Sequence, residues 1–126
     1  MKAIEKWQLK RPNWFAGTVI NFPPGDGEGW SEIVDDLFQK IEDTLPPRAR
    51  QVFHIGQIKE KIGSLRLYFR LNEADDHHRP AIDDFIEHAR LRTERTCMIC
   101  GVVSERSGAP GCMLSRDELM CPNGRR

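Results

Sequence analysis

Long apolar runs are missing from this chain. Its 126 residues contain no stretch near the roughly 18–20 apolar residues of a membrane-spanning helix, so no membrane partner is expected. The start, Met1-Lys2-Ala3-Ile4-Glu5-Lys6-Trp7, carries bases but no continuous apolar region and no small-residue cleavage site, so no secretory leader is read there. An excess of base is missing too: 19 Lys and Arg balance 19 Asp and Glu, where a generic nucleic-acid binder would be basic. No nucleophile, base and orienting group stand out as a set, and no internal repeat or low-complexity segment is present. The glycine-rich segment Pro23-Pro24-Gly25-Asp26-Gly27-Glu28-Gly29 lacks the Gly-Lys-Ser/Thr ending of a phosphate-binding loop, and its two acids would repel phosphate. The pairs Asp35-Asp36 and Asp83-Asp84 are adjacent on helical segments, where sequence neighbours point in different directions, so neither pair presents both carboxylates to one cleft. These absences point to a cytoplasmic protein that is not an enzyme.

Cysteine is absent from the first 96 residues and then appears four times, in Cys97-Met98-Ile99-Cys100-Gly101, at Cys112 and at Cys121. Clustered thiols in a reducing compartment favour a metal over a disulfide. Two thiolates separated by two residues can reach one Zn2+, because the backbone between them turns tightly and a glycine after the second permits the positive φ of such a turn. The complete spacing is Cys-x2-Cys-x11-Cys-x8-Cys. Its second half is irregular, since ribbon and finger sites close with ligands about two to five residues apart; a tetrahedral site then needs residues 113–120 to form an excursion. Cys97, Cys100, Cys112 and Cys121 are the expected Zn2+ ligands, with a histidine-completed site and no bound metal as the alternatives. Redox chemistry at Cys97-Cys100 is disfavoured, because redox pairs begin a helix after a strand and this pair follows a helical segment. A tail of about 30 residues buries too little apolar surface to fold unaided, so metal there supplies stability rather than chemistry.

Charge is blocked along the chain. Residues 26–47 hold seven acids and one base, 48–71 six bases and one acid, and 72–87 six acids and one base, with a net +3 in each of 1–12 and 88–126. Within the first block, Trp30, Ile33, Val34, Leu37, Phe38, Ile41 and Leu45 fall on one helical stripe. Ser31 is placed to cap that helix, Glu32, Asp35 and Asp36 suit its positive end, and Pro46-Pro47 stops it. Asp35 and Asp36 then lie away from the stripe, as a solvated face or a surface for a basic partner. From Gln51 to Leu71 the period changes to two: Leu65, Leu67, Phe69 and Leu71 alternate with Arg66, Tyr68 and Arg70. Val52–Ile58 is the expected neighbouring strand, and Glu60–Ser64 the turn, with Gly63 at positive φ. This hairpin places Lys59, Lys61, Arg66 and Arg70 on or near one side, either as edge protection or as a surface for an anionic partner. After the polar loop 72–79, Pro80 opens a second helix carrying Ile82, Phe85, Ile86 and Ala89 and running to about Arg95. His77-His78 beside Asp75-Asp76 offers metal-ligand types, but in a polar loop such histidines are more simply exposed.

The order Gly29-Trp30, then Gln57-Ile58-Lys59-Glu60-Lys61-Ile62-Gly63-Ser64-Leu65-Arg66-Leu67-Tyr68-Phe69, then Thr96-Cys97-Met98-Ile99-Cys100-Gly101 resembles a group of small uncharacterised proteins of bacterial genomes and prophages. Members of that group commonly finish with Cys-Asp-x-His or Cys-x-x-Cys, whereas this chain has Cys121-Pro122-Asn123-Gly124. The resemblance implies a fold and a mobile-element or accessory setting, and little chemistry.

The expected class is therefore α+β: a helix, an antiparallel β-hairpin and a second helix, followed by a small zinc-knuckle-like extension. Residues 1–29 form an N-terminal arm and loop, 30–95 the α-β-β-α core and 96–126 the cysteine-rich part. Protein binding is the favoured function, by an accessory protein of the immunity or inhibitor kind whose partner is a toxin or host effector. The alternative is a nucleic-acid-binding regulator that uses Lys59, Lys61, Arg66 and Arg70 with the Arg-rich tail.

Overall fold

The computed structural model describes residues 2–22 and 27–103. Helix α1 spans Ala3–Lys10 and a 3-10 turn follows at Pro12–Phe15; strand β1 is Val19–Asn21. The N-terminal segment is thus not an extended arm. Ala3 and Trp7, one helical turn apart, are the buried residues of α1, and the Glu28 carboxylate accepts the Ala3 N–H at 2.6 Å, satisfying one of the donors that a helix start leaves open. The aromatics of the segment pack on the core: Trp7, Trp14 and Phe15 are buried.

Helix α2, Ser31–Thr44, forms where the apolar stripe lies and buries Ile33, Val34, Leu37, Phe38 and Ile41. Ser31 does not cap it. A 3-10 turn at Glu28–Trp30 leads straight into the helix, so the chain is already helical at Ser31 and Trp30 occupies the cap position, with no side-chain capping bond. Leu45, held extended by the proline after it, ends the helix. Pro47 then opens a short helix α3, Pro47–Val52, because proline suits the first turn of a helix. Val52 therefore belongs to α3, and the strand expected to begin there starts at His54.

Strands β2 (His54–Lys61) and β3 (Ser64–Arg70) form the expected antiparallel hairpin. Ile62 and Gly63 both adopt positive φ, 51° and 75°, the geometry of the two-residue turn that matches strand twist. Strand β1 pairs parallel with β2, giving a three-stranded sheet in the order β1-β2-β3. A bulge between Ile55 and Gln57 shifts the register and resets the alternation, which is why Ile55 and Ile58, three residues apart, both point into the core. Helix α4, Arg79–Thr93, carries Pro80 in its first turn and buries Ile82, Ala89 and Thr93. It runs beside β3, where Thr93 Oγ1 accepts the Leu65 N–H at 3.1 Å. The α+β class holds, and no helix among the described residues is long and apolar enough to cross a membrane.

The core is aromatic. Trp7, Trp14 and Phe15 all meet Phe38 edge to face, with centroids 5.7–6.1 Å apart, a favourable arrangement for ring quadrupoles. Three long-range ion pairs join opposite charge blocks: Arg11 with Glu42 at 3.1 Å, Arg48 with Asp75 at 2.9 Å and Arg92 with Asp36 at 3.1 Å. Asp75 is 1% exposed and accepts two hydrogen bonds from Arg48. These bonds hold its carboxyl below the usual range against the opposing effect of burial. A depressed carboxyl contributes stability above its unfolded pKa, about 3.9, and loses it as pH falls through the folded value. Arg48→Ala removes the counter-charge, so urea denaturation should show a large loss of stability at pH 7 and a smaller one at pH 3, below the unfolded carboxyl's ordinary value, where part of that contribution is already gone. Equal losses at the two pH values would contradict this account.

Candidate functional site

The cysteine turn is built onto the start of α2. Trp30, 0% exposed, donates from Nε1 to the Thr96 carbonyl at 2.8 Å, and the Gly29 N–H donates to the Met98 carbonyl at 2.6 Å. A Cβ on Gly29 would stand 2.1 Å from the Cys97 carbonyl oxygen and 2.5 Å from the Gly101 nitrogen, so only glycine lets the two backbones meet. Gly101 takes the expected positive φ, 84°. Its N–H donates to the Cys97 carbonyl at 2.9 Å, and the Cys97 N–H donates to the Val102 carbonyl at 2.9 Å, closing the turn on both sides. Cys97 is buried and Cys100 half-buried. Two sulfur donors on one glycine-closed turn fit half of a zinc site. Cys112 and Cys121 lie outside the described residues, and among the described ones no group of three or more His, Cys, Asp or Glu gathers as a metal site. A cavity of about 340 Å³ beside the turn is lined by Glu32, Ile33, Arg92, Arg95, Thr96 and Val103; Arg92 is paired with Asp36, which leaves one acid and one base in the lining.

The bases predicted on the hairpin share the outer face of the sheet. Residues opposite each other across a strand pair lie on the same face, and Lys59 faces Arg66, His54 faces Arg70 and Lys61 faces Ser64. Arg70 Nη2 donates to His54 Nδ1 at 2.8 Å, and His54 Nε2–H donates to the Ala16 carbonyl. Lys59 and Arg66 are half-buried and Lys61 is exposed. None of the three side chains makes a hydrogen bond or ion pair with a described residue. Glu87 of α4 lies within electrostatic range of Arg66, but its carboxyl is held low chiefly by the hydrogen bond from Arg90, with Arg66 the smallest contributor. Like charges directly opposite each other in a sheet are destabilising, and the fold keeps this pair.

Asp35 and Asp36 lie on the exposed side of α2, away from the core, and do not join the hairpin bases. Asp36 is taken by Arg92. Asp75 and Asp76 are likewise engaged, by Arg48 and Arg79, while His77 and His78 lie ring against ring with centroids 4.1 Å apart. Two groups carry little local signal in the sequence. The Gly29-Trp30 seat of the knuckle was visible only as part of an ordered motif. Val19 joined the sheet face through a strand of three residues, too short for any periodic signal.

Comparison with known proteins returns no match: no family model fits the chain, and neither a curated protein nor a solved structure is similar to it.

Gly29→Ala forces two backbones apart. Urea denaturation should show a loss of about 1–3 kcal/mol, the usual cost of overpacking, together with a red shift of Trp fluorescence as the Trp30 pocket opens. Wild-type stability in this variant would mean that the cysteine turn is not seated there.

Proposed function

We propose that this protein acts by binding: it is a cytoplasmic accessory protein, of the immunity or inhibitor kind carried by mobile elements, that covers an acidic protein partner. The partner side is the outer face of the sheet, with Lys59, Lys61, Arg66 and Arg70. The C-terminal cysteines Cys97, Cys100, Cys112 and Cys121 hold Zn2+ as a structural staple. Lys59 opposite Arg66 supports this role most directly, since two cations kept side by side, neither in an ion pair with a described residue, cost stability that a carboxylate-bearing partner would return. The pairing of the other charge blocks with one another makes this face the exception.

A nucleic-acid-binding regulator is the second reading, favoured by the exposed Tyr68 between Arg66 and Arg70, which offers a stacking surface for a base. Such binding would fall steeply with salt.

Lys59→Glu converts the like pair into an attractive one, so it should raise stability by about 0.5 kcal/mol while abolishing partner capture. Affinity capture from the native host with the wild-type chain should recover a stoichiometric acidic protein that Lys59→Glu loses. Recovery of no such protein, or of the same protein by both chains, would remove this assignment. For the metal, analysis of the purified protein should find one Zn2+ per chain, and Cys97→Ser should lose it. A chelator should expose the chain after Arg95 to protease while far-ultraviolet circular dichroism of the helices and sheet is retained. Metal-free protein with a protease-resistant tail would end the zinc proposal.

A further inference from the structure

We infer that the partner presents an apolar or aromatic side chain flanked by carboxylates, and that this side chain sits on a row formed by Val19, Gln57 and Tyr68. This partner chemistry rests on the binding role above and narrows it.

The row follows from register. Val19 pairs with Gln57, and Gln57 with Tyr68, so the three stand side by side across all three strands. The next row on the same face is Asn21, Lys59 and Arg66, and on the other side stands the pair His54 and Arg70. A row with an aliphatic side chain at one end, an aromatic one at the other and the Gln57 amide between them is thus bracketed by bases. Val19 is 55% exposed and Tyr68 53% exposed. Of the three Trp, six Phe and one Tyr, Tyr68 alone is exposed while every other ring is buried or half-buried. Tyr and Arg near the centre of a patch, ringed by polar groups, are the composition of binding hot spots. Paired strands hold the row rigid, and the His54 contact steadies Arg70, so little conformational freedom is lost on binding.

Arg66 and Arg70 are four residues apart on β3, which at about 3.3 Å per residue separates the basic groups by about 13 Å. A partner strand laid along β3 matches this with acids four residues apart and its anchor midway. Nucleic acid fits less well. Single-strand platforms offer a series of aromatic faces, and here there is one; the flanking sequence blocks of −6 and −5 also oppose a long polyanion.

The test measures binding of the full-length chain at low salt to three probes: a glutamate–tyrosine copolymer, polyglutamate of equal length, and an oligothymidylate. The copolymer should bind about tenfold more tightly than polyglutamate. Tyr68→Thr, which keeps strand propensity, should erase that preference and leave polyglutamate binding unchanged. Arg66→Glu should weaken both. Equal binding of copolymer and polyglutamate, both lost in Arg66→Glu, overturns the anchor row and leaves the binding role standing. Binding of neither acidic polymer overturns the binding role itself. Tighter binding of oligothymidylate than of either polymer assigns the face to nucleic acid instead. Thermal melting of each variant above room temperature confirms that the comparison is made on folded protein.

Discussion

The contact between Gly29-Trp30 and the Cys97–Gly101 turn is the constraint that ties the cysteine segment to the aromatic core. Two backbones meet there with no room for a Cβ, and an indole N–H closes the contact from inside the core. Trp30 also begins a chain of ring contacts through Phe22, Trp7, Phe38, Trp14 and Phe53 to Phe69 on β3. The cysteine turn is therefore attached, ring by ring, to the sheet. Close packing carries strain along such a chain because interiors have few voids to absorb it. The described cysteine turn, too small to build a core of its own, gains order by being fixed to this one.

Charge is organised by the same economy. The blocks along the sequence find each other in the fold, through Arg11 and Glu42, Arg48 and Asp75, and Arg92 and Asp36. Each pair joins segments far apart in the chain, and each lies among the helices or on the turns that lead into them. The outer sheet face is where this mutual neutralisation stops. The hairpin is local in sequence, so its opposed bases follow from register alone, and the helices that carry the acids pack on the other face or along the edge of β3.

The two faces of the sheet consequently have different physics. The inner face is held by aromatic packing, and the bulge at Gly56 keeps both Ile55 and Ile58 there. The outer face, with Tyr68 and its flanking bases, is covered by no described element. A sheet that is apolar on one side and wet on the other is ordinary; opposed cations beside an exposed tyrosine are not a requirement of that architecture.

What the sequence determined by itself was whatever repeats over a long enough window. The α2 stripe, the alternation of Leu65 to Leu71, the Gly63 turn and the positive φ of Gly101 follow from period and from glycine sterics, which need only neighbours in the chain. Helix α1, the three-residue β1 and the short α3 were not legible, because elements that short exist through tertiary contacts: Glu28 on the start of α1, the parallel pairing of β1 with β2, the Arg50 bonds to the Glu42 and Leu45 carbonyls beside α3. For the site, the sequence named the bases and the cysteine pair as residue types. Only the tertiary structure decided that Lys59 faces Arg66, that Val19 stands in line with Tyr68, and that Gly29 and Trp30 seat the cysteine turn on the core. Register and close approach are relations between distant segments, and no local pattern encodes them.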